Sequence, residues 1–343
     1  MPVGAGLTSP IYPGLGSSDG TEIGVSLIDR SGSGPYGRGG IERRSNKEIR
    51  DDFASNNDLC VRRGGPCRAV LAVGVGGRIE RLLPAVRRVG PGQSIQAAID
   101  AAPPGSTIHI EPGTYTEQLV ITKNRIRLEG SGARLVAPST FTPNQCTGVA
   151  HVGPPNVTGP PANSGICIIG DVKFGDFDLF LGHRPATEVR RAVSGVTVSG
   201  LQISGFPVGV LIAGGERTAI EDNQIDGAGP YGILATNSAR TRYADNTIVH
   251  GPAGVAGIGA CVEGSTGSTI AGNDVSGFIT GLCISSSQVG VRGNRVHDNH
   301  FGIFTDPGYH DIDIQDNQVE HNTRGPRFLC RPVSASSSTA RTT

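Results

Sequence analysis

The pattern of apolar and polar residues repeats along the second half of the chain. Between Gly195 and about Asn322, an Asn recurs inside a fixed apolar frame, in the segments IEDNQI, YADNTI, IAGNDV, VRGNRV and IQDNQV. The repeated residues are Asn223, Asn246, Asn273, Asn294 and Asn317, at intervals of 23, 27, 21 and 23 residues. A period near 23 residues predicts a solenoid in which each turn, or rung, buries its apolar face against the next.

Each repeat also contains a short run that opens with Gly, in which the first and third residues after the Gly are predicted to point inward and the second outward. These runs are GILAT from Gly232, GACVE from Gly259, GLCIS from Gly281 and GIFTD from Gly302. Period-two runs of Val, Ile and Thr bounded by turn residues are typical of short strands, whereas leucine-rich and helical repeats need a Leu-rich or helical half. The sequence therefore predicts an all-β fold, a single-stranded parallel β-helix. Each repeated Asn is expected to donate to one neighbouring rung and accept from the other.

An amphipathic segment precedes the first strands. In IQAAIDAA, the residues Ile95, Ala98 and Ile99 share one helical face, Ser94 is a favourable N-cap, and Pro-Pro-Gly follows the last turn. Such a helix would cover the first rung and prevent pairing at its open edge.

This helix, the TIHIEPGTYTE segment after it and the Asn repeats resemble the right-handed parallel β-helix repeat proteins of the pectin-lyase-like superfamily, over about residues 90–325. The resemblance implies right-handed winding, a short N-terminal capping helix, and a polysaccharide groove on the outer face of one sheet. The polygalacturonase series NTD, DD, HG and RIK and the methylesterase motifs GTVDFIFG and LGRPW are missing. LGHRP at Leu181–Pro185 matches the last of these only superficially.

The repeat pattern predicts three regions. Residues 1–89 are rich in Gly, Pro and Arg without a sustained period, and we expect them to be disordered. Residues 90–328 form the predicted β-helix, with an insertion at 138–194 of the kind that commonly carries specificity. Residues 329–343 form a predicted disordered tail.

Charge and hydropathy argue against two classes of partner. The chain has 30 Lys or Arg and 30 Asp or Glu residues, so it lacks the basic excess that nucleic-acid binding normally requires. No apolar run reaches the roughly 18 residues that span a bilayer. The start of the chain has no convincing signal peptide, although VRRGGPCRAVLAVGVGG from Val61 leaves a poor export signal open as an alternative to a linker.

The cysteines favour an oxidising compartment. Cys261 and Cys283 both lie two residues after the Gly of their runs, so they share one column of adjacent rungs and we predict a disulfide between them. Cys146 and Cys167 form a second predicted pair that would close the inserted loop. Two bridges favour an extracellular or cell-surface protein, and buried free thiols in a cytosolic protein are the alternative.

The column that faces outward in these runs is apolar. It reads Leu211, Leu234, Cys261, Cys283 and Phe304. A uronate-binding lyase would need acids for calcium and Arg or Lys for the substrate carboxylate on this face. The column therefore argues against pectate-lyase activity and is equally suited to lie beneath the insertion or beneath a tail. We predict no cofactor, and calcium is retained as an option.

The next column carries two acids. It reads Ala213, Thr236, Glu263, Ser285 and Asp306. Glu263 and Asp306 are two rungs apart, or about 9.6 Å between Cα atoms at a strand spacing of ~4.8 Å. Inverting glycosidases place their carboxyl groups about 6.5–9.5 Å apart, one protonating the leaving oxygen while the other activates water. Acids at rung ends are also common in solvated turns, which is the structural alternative.

Polar residues are concentrated in the last rungs, in VHDNH and TDPGYHD. His300 and His310 therefore join Glu263 and Asp306 as candidate catalytic residues. The second stretch faintly resembles the Asp-Pro-His-Asp motif of mannuronan epimerases, but two residues interrupt it. The other interpretation is a Pro-Gly turn with solvated side chains.

Four further residues are candidates for substrate binding. Phe304 and Tyr309 belong to the last rungs, and Arg292 and Arg295 flank Asn294 on the outside. The arginines would pair with a substrate carboxylate or stay solvated.

The leading hypothesis is an exported protein that acts on or binds a polysaccharide as a lyase, epimerase or hydrolase. The alternative is a non-catalytic β-helix for surface recognition or structural spacing, because fold alone does not establish activity. The sequence does not indicate the oligomeric state.

Overall fold

The computed structural model describes residues 85–152, 159–251 and 257–322, together with the backbone of four short strands outside these ranges. The chain divides into two units, Met1–Leu83 and Pro84–Thr343. In the first unit, an antiparallel sheet has the order β2-β1-β3, with β1 at Ile23–Leu27, β2 at Ile41–Arg44 and β3 at Val70–Ala72. The rest of the predicted disordered segment up to residue 84, and the predicted tail 329–343 apart from one strand, lie outside the described residues.

The second unit is a right-handed parallel β-solenoid with one helix near its start, as the sequence predicts. Helix α1 spans Ile95–Ala101, and the Ser94 hydroxyl caps it by accepting from the backbone N–H of Ala97 at 3.1 Å. The Glu117 carboxylate also accepts from the N–H of Ile95 at 2.7 Å. Ile95 and Ile99 are buried in the main core, so α1 covers the apolar interior of the first rung.

One face of the solenoid is a seven-stranded parallel sheet, called here the front sheet. Its strands, in spatial order, are β7 (Leu119–Ile121), β9 (Ser164–Ile169), β14 (Val208–Ala213), β18 (Tyr231–Thr236), β21 (Ile258–Glu263), β24 (Thr280–Ser285) and β27 (Phe301–Thr305).

The remaining rung strands form a sixteen-stranded sheet, called the back sheet. Its strands are β4 (Val86–Val89), β5 (Thr107–Ile110), β6 (Gly113–Thr116), β8 (Arg127–Val136), β13 (Thr197–Ser204), β16 (Ala219–Glu221), β17 (Gln224–Ala228), β19 (Arg242–Ala244), β20 (Thr247–His250), β22 (Thr269–Ala271), β23 (Asp274–Ser276), β25 (Val289–Arg292), β26 (Arg295–His297), β28 (Ile312–Gln315), β29 (Gln318–Glu320) and β30 (Ala340–Arg341). Two small pairs stand apart, β10 (Asp171–Phe174) with β11 (Ala186–Arg191) and β12 (Val193–Ser194) with β15 (Gly215–Glu216).

The interior follows the predicted alternation of the front strands. In the runs from Gly232, Gly259 and Gly281 the first and third residues after Gly lie in the main core, for example Ile233 with Ala235 and Ala260 with Val262, whereas in the last run Ile303 does so and Thr305 does not. The Gly that opens each run is required by close packing. A Cβ on Gly259 would lie 2.3 Å from Val275 Cγ1 and 2.6 Å from the Gly281 carbonyl oxygen, and no larger side chain fits there.

The repeated Asn residues form the predicted ladder. Asn246 Nδ2 donates to Asn273 Oδ1 at 2.9 Å, and Asn246 Oδ1 accepts from Asn223 Nδ2 at 3.0 Å. Several rungs have Asp in the left-handed region immediately before the Asn, with φ of 54° at both Asp222 and Asp245. Asp tolerates this conformation better than most residues. The turn therefore directs each amide along the solenoid axis.

The predicted insertion 138–194 contains a strand of the front sheet, β9. The segments on either side of it, 138–163 and 170–192, are called here the covering layer. Their described residues include Val149, Ala150 and Ala162, which share a second apolar cluster with Leu211 and Leu234 of the front sheet. The outward apolar column thus lies beneath the insertion, which is one of the two placements that the sequence allowed.

Candidate functional site

The two acids of the predicted column lie at the edge of the front sheet where its strands end. The register pairs Thr236 with Glu263 and Glu263 with Ser285, and the backbone N–H of Asp306 continues the ladder onto β24. Glu263 and Asp306 are each only 9% exposed. The predicted column is therefore confirmed, and its two carboxyl groups lie almost entirely within the protein.

Each carboxyl is bonded by the hydroxyl of the preceding rung. Thr236 Oγ1 donates to Glu263 Oε2 at 2.5 Å, and Ser285 Oγ donates to Asp306 Oδ2. The second oxygen of Asp306, Oδ1, is buried without a hydrogen-bond partner. An unpaired buried carboxylate oxygen is costly, so this oxygen is suited to a proton or to a group that donates one.

Burial raises the pKa of Asp306 above its ordinary value, and the hydrogen bond from Ser285 opposes the rise without cancelling it. The Cα atoms of Glu263 and Asp306 are separated by two strand spacings, about 9.6 Å. The two carboxyls thus share one column but differ in surroundings, because Glu263 also faces an imidazole from the covering layer.

That imidazole belongs to His183, whose side chain is fully buried. Its Nε2 lies 3.6 Å from Glu263 Oε2, and its Nδ1 lies 3.0 Å from the hydroxyl of Tyr231. Tyr231 is the first residue of β18, and its hydroxyl donates to the Leu181 carbonyl at 2.5 Å. Burial and the nearby Cys261, Cys283 and Glu263 raise the pKa of Tyr231 well above its ordinary value, so the phenol stays protonated.

The two cysteines of the apolar column are adjacent but not bonded. Cys261 pairs with Cys283 in the register, and both are buried free thiols. The predicted disulfide between them is therefore wrong. In-register parallel strands keep equivalent Cβ atoms near the ~4.8 Å strand spacing, whereas a disulfide requires about 3.8 Å. The other predicted pair, Cys146 and Cys167, does form a disulfide, which ties the covering layer to β9.

Tyr309 and Phe304 lie on the solvent side of the site. Tyr309 is 38% exposed. Burial first, and then the nearby charges of Glu263 and Asp306, raise the pKa of its hydroxyl. Phe304 packs against the second apolar cluster and follows Cys283 in the register. Both residues are close to Asp306 in the chain, at the end of β27 that carries this acid.

The structure does not bring His300 and His310 to the pair. His300 directly precedes β27, at the opposite end of the strand from Asp306, and six residues of extended chain span about 20 Å. His310 has a side chain that is 65% exposed and pairs with Asp311 at 2.9 Å. Neither imidazole has a hydrogen bond to Glu263 or Asp306 among the described contacts.

Arg292 and Arg295 lie on the back sheet, away from the site. Arg292 pairs with Asp313, and Arg295 pairs with Asp274 and Glu320, both at 3.3 Å. Their guanidinium groups are therefore engaged with carboxylates of the protein itself.

Three residues at the site were not singled out by the sequence. His183 lies in the covering layer, which has no repeat frame from which its position follows. Tyr231 occupies the position before a repeat Gly, where the later rungs have Ile258, Thr280 and Phe301. Because the residue type at this position varies from rung to rung, the tyrosine did not indicate a functional site. Thr236 was in the acidic column but carried no predicted role.

In the part of the chain that the structure describes, no group of three or more His, Cys, Asp or Glu side chains is arranged to hold a metal ion. No helix among the described residues is long and apolar enough to cross a membrane.

The parallel sheets and their winding define a right-handed parallel β-helix. Residues 190–336 match the family model described as "Right handed beta helix region". The predicted right-handed parallel β-helix fold is thus confirmed. A comparison with curated proteins finds no match.

Solved structures with a similar fold include two enzymes and an adhesin. DFA-IIIase from Arthrobacter chlorophenolicus A6 without its lid is 14% identical, with a TM-score of 0.42, over 67% of this chain and 65% of that one. An alginate lyase from Paenibacillus sp. str. FPU-7 is 12% identical, with a TM-score of 0.38, over 70% and 96%. PfbA, a surface adhesin of Streptococcus pneumoniae, is 14% identical, with a TM-score of 0.45, over 69% and 59%. The chain therefore spans just under two thirds of the DFA-IIIase chain.

Proposed function

We propose that the protein hydrolyses a glycan, with Glu263 and Asp306 as its catalytic pair. One observation carries the proposal: two acids on one column, two rungs apart, are each 9% exposed and each held by a neighbouring hydroxyl. Acids that serve only solubility stay in water, because burying a carboxyl is costly. A spacing of about 9.6 Å between Cα atoms suits the inverting arrangement, which leaves room for a water molecule.

The surroundings of the two carboxyls favour different roles. The raised pKa of Asp306 suits the general acid, which protonates the leaving glycosidic oxygen. Glu263 accepts from Thr236 and would take a proton from the attacking water. The oxygen of that water then bonds to the anomeric carbon as the glycosidic bond breaks.

The preferred substrate class is a neutral glycan. The arginines expected to bind a uronate carboxylate are paired on the back sheet. Tyr309 and Phe304 offer ring faces against which sugar C–H groups pack. The Cys146–Cys167 disulfide favours an extracellular or cell-surface location, where such glycans are found.

A second candidate function is a non-catalytic β-helix used for surface recognition or structural spacing. It is favoured by the link from the Ala186 backbone N–H through Thr236 to Glu263. In this second function, Glu263 only anchors the covering layer to the front sheet.

The test is turnover by the full chain on a panel of neutral and uronate polysaccharides. Reducing ends report hydrolysis and ultraviolet absorbance reports lyase products. Glu263→Gln and Asp306→Asn keep an acceptor for the neighbouring hydroxyl, so the fold is expected to survive. Each is expected to lower kcat by about 10²-fold or more.

Glu320→Gln and Asp311→Asn are the matched controls, because these acids lie outside the site, and both should retain wild-type rates. NMR of the first product should show inversion at the anomeric carbon. Full activity in both site variants would exclude the pair, and no turnover across the panel by folded protein would favour the non-catalytic function.

A further inference from the structure

The protons around His183 are determined by its neighbours. The Tyr231 hydroxyl has a single hydrogen, and its 2.5 Å contact with the Leu181 carbonyl uses that hydrogen, because a carbonyl oxygen can only accept. His183 Nδ1 lies 3.0 Å from the Tyr231 oxygen and 3.2 Å from the same carbonyl. Both neighbours of Nδ1 are therefore acceptors, and Nδ1 must carry a hydrogen.

With Nδ1 protonated, Nε2 is the ring nitrogen whose protonation depends on Glu263. Nε2 is buried without a hydrogen-bond partner, and the polar atom it faces is Glu263 Oε2 at 3.6 Å. A neutral ring protonated at Nδ1 presents a lone pair at Nε2. Two lone pairs facing each other in a dry site repel, so one proton belongs between the ring and the carboxyl, on either atom.

Few other ionisable groups face this pair. Those whose charges interact around the site include Tyr231, Cys261, Cys283, Asp306 and Tyr309, of which only Asp306 has an ordinary pKa below neutral pH. The imidazole is therefore the basic group opposite Glu263 in the part of the chain that the structure describes.

We infer that His183 is the positioning residue of Glu263: its Nε2 shares one proton with Oε2, and the covering layer thereby holds this carboxyl in place as the base. The inference rests on the proposed function. Tyr231 and the Leu181 carbonyl fix the ring orientation, and a movement of about half an ångström brings Nε2 within hydrogen-bond length. When the Glu263 carboxylate accepts a proton from water, its hydrogen bond to His183 Nε2 keeps the remaining lone pairs of the carboxylate in a fixed direction.

Two variants separate this role from simple packing. In His183→Gln the amide nitrogen replaces Nε2 and still donates to Glu263, whereas in His183→Asn it replaces Nδ1 and keeps only the contacts to Tyr231 and Leu181. We expect His183→Asn to lower kcat at least about tenfold with KM within about twofold, and His183→Gln to restore at least half of the wild-type kcat. Equal losses in both variants, or no loss in either, would overturn the inference.

A spectroscopic readout keeps the inference testable if no glycan is turned over. In protein labelled with ¹⁵N-histidine and δ-¹³C-glutamate, the wild-type ring should be protonated at Nδ1, and Glu263→Gln identifies the Glu263 carboxyl signal. That signal should shift in His183→Asn and stay close to wild type in His183→Gln. A ring protonated at Nε2 alone, or a Glu263 signal indifferent to both variants, refutes the pairing whether or not the protein is an enzyme.

Discussion

Thr236 and Glu263 lie side by side on adjacent rungs, and the Thr236 hydroxyl donates a 2.5 Å hydrogen bond to Glu263 Oε2. The same hydroxyl accepts a 2.8 Å hydrogen bond from the backbone N–H of Ala186 in the covering layer. Both ends of this link are buried. One hydroxyl thus joins the candidate base to the segment that covers it.

Thr236→Val should therefore destabilise the protein and loosen the covering layer. The substitution keeps the side-chain shape but leaves the Ala186 N–H and a carboxylate oxygen unpaired, at about 1–3 kcal/mol for each buried group. Chemical denaturation measures the loss, and amide hydrogen exchange at Ala186 should become faster. Thr236→Ser, which keeps the hydroxyl, is the control and should leave exchange at Ala186 nearly unchanged. Slow exchange in the Val variant would show that other contacts hold the layer.

The Asn ladder should show a gradient of stability from its middle to its end. Asn246 is 1% exposed and makes side-chain hydrogen bonds to Asn223, Asn273 and the Ile220 carbonyl. Asn246→Ala is expected to cost about 3 kcal/mol or more, because it leaves several buried partners unpaired. Asn317→Ala, on the last described ladder position and partly exposed, should cost about 1 kcal/mol because water replaces its partners. Equal losses at the two positions would contradict a buried ladder.

The cysteines should divide into one bonded pair and one protected pair. The Cys146–Cys167 disulfide closes a loop with a sequence separation of 21 residues, so Cys146→Ala with Cys167→Ala should cost about 3 kcal/mol. The hydrogen bond with Cys283 and burial raise the pKa of the Cys261 thiol well above its ordinary value, so little thiolate is available to react. Mass spectrometry after alkylation should find Cys261 and Cys283 unmodified in the folded protein and modified once it is unfolded. A bridge between them would instead appear as a cross-linked peptide.

The rung architecture was predictable because it repeats. Period-two alternation around each Gly gave the inward residues, the apolar column and the acidic column of Glu263 and Asp306, and the register confirms each of them. Adjacency on neighbouring rungs alone did not decide whether Cys261 and Cys283 form a disulfide. A disulfide requires a particular Cβ–Cβ distance, and a difference of less than about one ångström in that distance prevents it.

The parts of the site outside the repeat were not predictable in the same way. His183 comes from the covering layer, where no period relates its position to Glu263. His300 is close to Asp306 in sequence, but the strand between them separates the two by about 20 Å. Clustering in sequence indicates clustering in space only within a turn, and here a whole strand intervenes.

Asp306 should make the protein less stable, relative to an Asn variant, as the pH rises. Burial raises the pKa of Asp306 in the folded protein above its ordinary value, so the folded state holds this proton more tightly than the unfolded state does. The stability that the protonated form contributes is fully present below about pH 3.9, the ordinary pKa of Asp, and is lost as the pH rises through the folded pKa. Unfolding free energies of wild type and Asp306→Asn, measured from pH 3 to 7, should diverge in favour of the variant. Asp311→Asn, at an exposed acid beside His310, is the control without this burial. A difference that stays constant with pH would mean that folding does not raise the pKa of Asp306, and would remove the support for its role as the acid.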